Sequence, residues 1–268
     1  MQVKFWGVRG SVPFATDQSV QTGCNTPCVE LSDVAADRHL ILDAGTGLVG
    51  VGAALDAVPQ PLAILLSHYH WDHVQGLPFF RPFFQRGWTV RVVGPALRDA
   101  DPEWLDTLFG TPHFPLTLDE LDSAPYMSFL EGPTFTAGGF EVSALPLTHP
   151  GGSMAYRIKG DNGDLVYATD HEFGDARTDA ALASFAGGAA AVIMDAQYTP
   201  EELSRMRGRG HGSWQECVDF AAAIGAGRLW LFHHQPGRTD REVAAIESAA
   251  RQVRPSTAAA REGFTFSL

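Results

Sequence analysis

Four apolar runs in this chain each end on side chains able to hold a metal ion. "LAILLS" leads into His68, His70, Asp72 and His73; "VSALPLT" into His149; "DLVYAT" into Asp170; "LWLF" into His233. Short runs rich in Val, Leu, Ile and aromatic residues, bounded by glycine or polar clusters, predict buried strands. Strands that deliver polar residues to one rim are a rigid frame for a metal site. The chain is therefore expected to build sheets with its chemistry along one edge.

The remaining pattern agrees. "VKFWG", "CVELS", "HLILDAG" and "TVRVVG" predict further strands in the first third, and "MSFLEG", "MAYRIKG" and "AAVIMDA" in the second half. Helices are predicted over residues 46–57, 75–85, 179–185, 213–224 and 240–252. The "NG" of "KGDNGDLVYATD" predicts a hairpin turn. Residues 95–132 are broken by prolines and are expected to form either a lid or a surface connection. Many strands with interspersed helices over 268 residues, without a repeat or a dividing linker, imply one α/β domain of two sheets covered outside by helices.

Composition narrows the function. Thirty-one acidic residues against 19 basic ones leave a net charge of −12, which opposes binding to a polyphosphate backbone. The only clustered arginines, in "RMRGRG" at 205–210, sit between glycines as in a solvated loop. The start lacks a secretory apolar core, and no window approaches the roughly 20 apolar residues of a membrane span, so a soluble, cytoplasmic protein is expected. Three cysteines form no disulfide framework; Cys24 and Cys28 read as small, semi-buried residues.

Within "HYHWDH", His68 and His70 are two apart at the end of an extended strand and face the same way, so they can share one ion. Asp72 and His73 lie past the turn and can point to a second. Imidazole and carboxylate ligands suit zinc, with manganese, iron or nickel also compatible. His234 stands beside His233; only one can point into a site if the strand continues, and His233, directly after the apolar run, is preferred. His171 and Glu172 follow Asp170 and can serve either as supports or as substrate contacts. Asn25, Thr26 and Arg9 belong to glycine-rich loops where they can bind phosphate or simply shape turns. His113 and Phe114 are candidate pocket walls.

The motifs "HYHWDH", "ILDAGTG" with Asp43, "LTHP", "YATD" and a C-terminal histidine after a strand resemble the metallo-β-lactamase superfamily, over residues 1 to about 240. That resemblance implies the four-layer αββα sandwich with metals at one rim. It implies two divalent ions, the first held by His68, His70 and His149, the second by Asp72, His73 and His233, with Asp170 bridging. Asp43 would orient the histidines without ligating.

A finer resemblance, "THPGGSMAYRI", "LVYATD", "GHGSW", "LWLFHH", is to ribonuclease Z and its phosphodiesterase relatives, and "FWGVRGSVP" with "GCNTPCVEL" resembles a cyclic-phosphodiesterase-like bacterial branch. It implies His211 as the general acid that protonates the leaving oxygen, with Asp72 also in the reacting site and a metal-bridging hydroxide as nucleophile.

Ribonuclease Z carries a protruding basic arm between its later metal motifs. Here only 20 residues separate His149 from Asp170, and no lysine lies between Asp170 and His211. A small or cyclic phosphodiester is therefore the expected substrate, with no large nucleic acid and no membrane as partner. Relatives of this kind are often dimers, so a homodimer is an open expectation. An acyl hydrolase for lactones, thioesters or β-lactams is the second reading, and a non-hydrolytic metal or redox protein the third.

Overall fold

The computed structural model describes residues 1–55, 59–96, 102–123, 125–130 and 132–268. The first half of the chain forms β1 (Gln2–Gly7), β2 (Cys28–Asp33), β3 (Arg38–Leu42), β4 (Pro61–Leu65), β5 (Thr89–Gly94) and β6 (Tyr126–Phe129). The second half forms β7 (Thr134–Ala137), β8 (Phe140–Leu147), β9 (Ser153–Ile158), β10 (Leu165–Ala168), β11 (Ala191–Asp195), β12 (Arg228–Phe232) and β13 (Thr257–Ala259). A last strand, β14 (Thr265–Ser267), returns to pair with β1.

The strands make two seven-stranded sheets, in the orders β14-β1-β2-β3-β4-β5-β6 and β13-β12-β11-β10-β9-β8-β7. Each half is built alike: antiparallel pairing through β1, β2 and β3, or through β7, β8, β9 and β10, then parallel pairing from β3 to β6 or from β10 to β13. The buried sheet faces meet in a core of Val3, Phe5, Leu31, Phe140, Tyr156, Tyr167, Trp230 and Phe232. Helix α1 (Gly47–Ala54) and the turns after it cover the first sheet. Helices α2 (Ala176–Ala186), α4 (Trp214–Ala223) and α5 (Asp240–Val253) cover the second, with α3 (Pro200–Met206) between α2 and α4 in the chain. This is the expected αββα sandwich.

The local differences have local causes. Residues 75–85 form two short 3-10 turns, Leu77–Phe79 and Arg81–Phe84, where one α-helix was expected; Pro78 and Pro82 each remove a helical donor and clash with the turn before. Helix α1 ends at Ala54, and residues 56 and 57 of its expected span lie outside the described residues. The predicted hairpin joins β9 to β10 through Asn162 and Gly163. Edge strands β7, β13 and β14, of three or four residues, and helix α3 carry too little pattern to have been read from sequence. Capping boxes Thr199–Glu202, Ser213–Glu216 and Thr239–Glu242 start α3, α4 and α5.

Within segment 95–132, whose residues 97–101, 124 and 131 lie outside the described residues, Leu105, Leu108, Phe109 and Leu121 are buried in the core on the first sheet's outer face, in and beside 3-10 helices Pro102–Leu108 and Leu118–Glu120. No helix among the described residues is long and apolar enough to cross a membrane.

Candidate metal centre

In open α/β sheets, polar residues gather beyond the carboxyl ends of parallel strands. Here Asp43 follows β3, His68 follows β4, Asp170 follows β10, Asp195 closes β11 and His233 follows β12. Asp43, Asp170 and His233 leave their strands in the left-handed region, at φ of 58°, 54° and 59°. That conformation is tolerated by Asp, Asn and His more than by other non-glycine residues, and it costs energy that the surrounding contacts must offset.

Three overlapping groups result: His68, His70, His149 and Asp170; Asp72, His73 and His233; and Asp170, Asp195, His211 and His233. Within each, the candidate ligand atoms lie within 4.8 Å of one another. Asp170 connects them, with Oδ1 3.8 Å from His68 Nε2 and 3.6 Å from His149 Nε2, and Oδ2 3.2 Å from His73 Nε2 and 3.4 Å from His233 Nε2.

The hydrogen bonds behind the rings settle which nitrogens face inward. Asp43 accepts from Ser67 N at 2.7 Å, Ser67 Oγ at 2.9 Å, Tyr167 OH at 2.7 Å and His73 Nδ1 at 2.8 Å. Because the Ser67 hydroxyl donates to Asp43, it accepts from His68 Nδ1 at 3.0 Å. His149 Nδ1 donates to the Gly210 carbonyl at 2.8 Å. Each bond leaves the Nε2 lone pair pointing into the centre. There His68 Nε2 and His73 Nε2 are buried without a hydrogen-bond partner, and His149 Nε2 faces His70 Nδ1 at 3.0 Å. Buried polar atoms left unpaired are costly. Converging lone pairs beside two carboxylates are what a divalent cation satisfies, so the residues fit a metal site.

Electrostatics points the same way. Burial, and then His73, hold the His68 imidazole well below its usual pKa; burial also lowers His149 and His70. These rings are neutral donors, the form that binds a metal. Burial opposes charge on His73, but Asp72, Asp170 and Asp43 outweigh it and push its pKa well up, a positive charge that a bound cation would replace as the ring gives up its Nε2 proton. Asp72 and Asp170 stay ionised, since their histidine neighbours outweigh the cost of burial. Asp72 is further anchored by the Ser11 backbone N–H at 2.7 Å.

His211 stacks on His233 at 5.1 Å between centroids and donates from Nδ1 to Asp195 Oδ2 at 2.6 Å. Burial lowers its pKa, but Asp195 more than compensates and brings it to about 9. The ring is therefore protonated at neutral pH, 3.7 Å from Asp170 Oδ1.

The other candidates lie elsewhere. His234 is buried with Nε2 on the Ala260 carbonyl at 3.0 Å, and burial takes its pKa down to about 3; it belongs to none of the metal-capable groups. His171 accepts from Thr148 N and lies 3.2 Å from Asp179. Asn25 binds Glu262 through both its backbone N–H and its amide. Arg9 is fully buried, with Nε and Nη1 fastening loops through the carbonyls of Gly23, Gln235 and Arg238 and Nη2 left without a partner. Thr26, also fully buried, exchanges hydrogen bonds with Thr46.

The beta-lactamase superfamily domain matches residues 38–234, most of the chain. The chain belongs to the metallo-β-lactamase superfamily. Among curated superfamily relatives, it is 24% identical over 300 aligned positions to a ribonuclease Z of Bradyrhizobium diazoefficiens, covering 92% of this chain and 93% of that one. Among solved structures, it is similar to the metallo-β-lactamase fold protein YhfI of Bacillus subtilis, at TM-score 0.73 and 23% identity, covering 99% of this chain and 98% of that one. It is also similar to a diphosphatase of the PhnP family, at TM-score 0.72 and 15% identity, covering 100% and 97%.

The sequence passes over one residue of this metallo-β-lactamase site, Asp195, and leaves the role of another, Glu172, open between support and substrate contact. Asp195 ends the buried run "AAVIMDA" and shows the same strand-end acid pattern as Asp170. Glu172 accepts from Gly208 N, at 2.7 and 2.9 Å to its two oxygens, and from Gly210 N at 2.7 Å, fixing the loop that carries both the Gly210 carbonyl and His211. Only the folded loop brings those amides to Glu172, so no local pattern decides between its two roles.

Proposed function

We propose that this metallohydrolase is a two-cation phosphodiesterase acting on a small phosphodiester, with His211 as general acid. The observation that carries the reading is the Asp195–His211 pair, an imidazole held by its carboxylate partner at 2.6 Å and standing 3.7 Å from the shared carboxylate Asp170. Hydrolysis of a phosphodiester must protonate a departing alkoxide, and a positioned imidazolium contributes about a hundred- to ten-thousandfold to such a step.

His68, His70 and His149 are proposed to hold one cation, and Asp72, His73 and His233 a second, with Asp170 serving both. Zinc suits the histidine-rich donor set, and manganese, iron or nickel are compatible. Divalent cations bound there supply Lewis acidity toward phosphoryl oxygens and lower the pKa of a coordinated water to about 7. The chain does the rest. Asp43, Ser67 and the Gly210 carbonyl hold the histidine tautomers, Ser11 N–H fixes the reacting-site carboxylate Asp72, and Asp195 keeps His211 charged and turned.

A small substrate is favoured by the acidic balance of −12 and by the short β9–β10 hairpin that fills the stretch from His149 to Asp170. The names of the similar proteins, a ribonuclease and a diphosphatase, support chemistry at phosphorus. The test is hydrolysis of bis(p-nitrophenyl) phosphate by protein with its metal content measured. About two equivalents of metal and turnover lost in His68→Ala are expected. Faster hydrolysis of a lactone or thioester than of any phosphodiester would replace this reading with acyl transfer.

A further inference from the structure

The metal-capable side chains are nearly all buried, and His70 is the exposed exception. The residues on either side of His70 in the chain, Tyr69 and Trp71, line a cavity of about 440 Å³. Its far side comes from the segment that closes over the first sheet, through Trp104, Leu108 and His113. The volume lies within the range of small-molecule sites, and the lining has their usual character, mostly aromatic and apolar with few polar groups.

The walls are set before any ligand arrives. The Tyr69 hydroxyl is committed to the Pro95 carbonyl at 2.7 Å, and the Tyr69 and Trp104 rings lie 4.6 Å apart at 49°. Trp71 is 59% exposed, a large apolar surface carried by the residue next to His70 in the chain. Three aromatic rings around one cavity, Tyr69, Trp71 and Trp104, favour a flat π-system over an alkyl chain, since every nucleobase offers a face that stacks on such rings whatever its sequence identity.

We infer that the cavity between Trp71 and Trp104 is a nucleobase subsite, which seats the base of a nucleotide phosphodiester while its phosphate lies at the neighbouring metal centre. This assignment rests on the phosphodiesterase reading for its catalytic meaning, but base binding can be measured without turnover. The imidazole of His113, at the exposed end of the cavity, is the group placed to meet the edge of the base.

The metal-loaded protein is titrated calorimetrically with adenosine 5′-monophosphate and, separately, with ribose 5-phosphate. The base-bearing ligand is expected to bind about ten- to a hundredfold tighter, the size of one base–aromatic stack. Trp71→Ala is expected to remove about tenfold of that preference, and Trp71→Phe to restore most of it. The same ratio is read in kcat/KM for adenosine 2′,3′-cyclic phosphate over glycerol 1,2-cyclic phosphate. Because Trp71 is exposed, its truncation does not threaten the fold; Trp104→Ala is the second variant. Equal affinity for the two ligands, or a Trp71→Ala change that weakens both alike, overturns the subsite. A base preference in binding without hydrolysis of any phosphodiester leaves the subsite standing and defeats the catalytic reading instead.

Discussion

Asp195 Oδ2 lies 2.6 Å from His211 Nδ1, the tightest contact between a carboxylate and an imidazole in the site. That single bond sets the ring's charge and orientation together, since the carboxylate both accepts the Nδ1 proton and outweighs the burial that disfavours the cation. His211→Ala is expected to lower kcat by about a hundred- to ten-thousandfold on a diester with an alkoxide leaving group. The loss should be much smaller with a p-nitrophenolate leaving group, which departs without protonation, and metal content should stay at the wild-type value. An equal loss on both substrates would show that His211 holds the site together and is not the acid.

Asp43 gathers four donors from three elements, Ser67 N and Oγ, Tyr167 OH and His73 Nδ1, without being among the inward-facing ligand atoms. Asp43→Ala should therefore weaken metal binding by about 10- to 100-fold, the usual cost of losing such a support. It should also destabilise the fold, because an unpaired buried donor costs about 1–3 kcal/mol. Competition with a chromophoric chelator reads the first effect and thermal unfolding of the metal-stripped protein the second. Wild-type affinity in a folded Asp43→Ala variant would refute the supporting role.

Much of this was visible before folding because the strand-end rule acts locally. His68, His149, Asp170 and His233 each follow an apolar run in the sequence, and the sheets bring those ends to one rim. The choice of His233 over His234 rested on the same rule, and the structure sends His234 to the Ala260 carbonyl. Arg9 shows where the rule stops: a glycine-rich loop reads as phosphate-binding, yet its arginine is spent on three backbone carbonyls from distant segments. For Glu172 the sequence leaves support and substrate contact open for the complementary reason, since its partners are amides some 40 residues away whose placement depends on the loop after α3.

Glu172 fixes Gly210, whose carbonyl orients His149 and whose next residue is His211. Glu172→Ala leaves the Gly208 and Gly210 amides without their acceptor and frees that loop. Turnover should fall by about tenfold or more with KM changed little, and Glu172→Gln, which keeps one acceptor oxygen, should recover part of it. Kinetics that match wild type in Glu172→Ala would show the loop to be held by other contacts.

Gly10 passes so close to His233 that an added Cβ would sit 2.5 Å from the ring's Nδ1 and from Gln197 Oε1. Both neighbours are buried, so neither can swing into solvent. Gly10→Ala should therefore displace His233 and destabilise the protein by about 1–3 kcal/mol, as overpacking does. The metal proposed to involve Asp72, His73 and His233 should be lost first. Elemental analysis after dialysis is expected to show about one equivalent where the wild type keeps two, and two retained equivalents would contradict the placement of His233.

Far from the metal centre, Glu30 provides a separate test of how the fold responds to acid. Its carboxylate accepts from Trp6 Nε1 and from His39 Nε2, each at 2.7 Å. Burial raises its pKa, but these two hydrogen bonds, with the charges of His39 and Lys4, outweigh the burial and hold the group below its usual 4.5. A carboxyl whose pKa is lower folded than unfolded binds more protons when unfolded, so its stabilising effect is complete above 4.5 and fades as pH falls through the lower folded value. Glu30→Gln keeps the shape but cannot ionise. Near neutral pH the variant should melt below the wild type, and the gap should close as the pH is taken below 4.5. Comparing the two proteins cancels the contribution of Asp72 and Asp170, which titrate in the same direction in both. A melting gap constant from neutral pH down to acid would mean that Glu30 contributes by packing and not by charge.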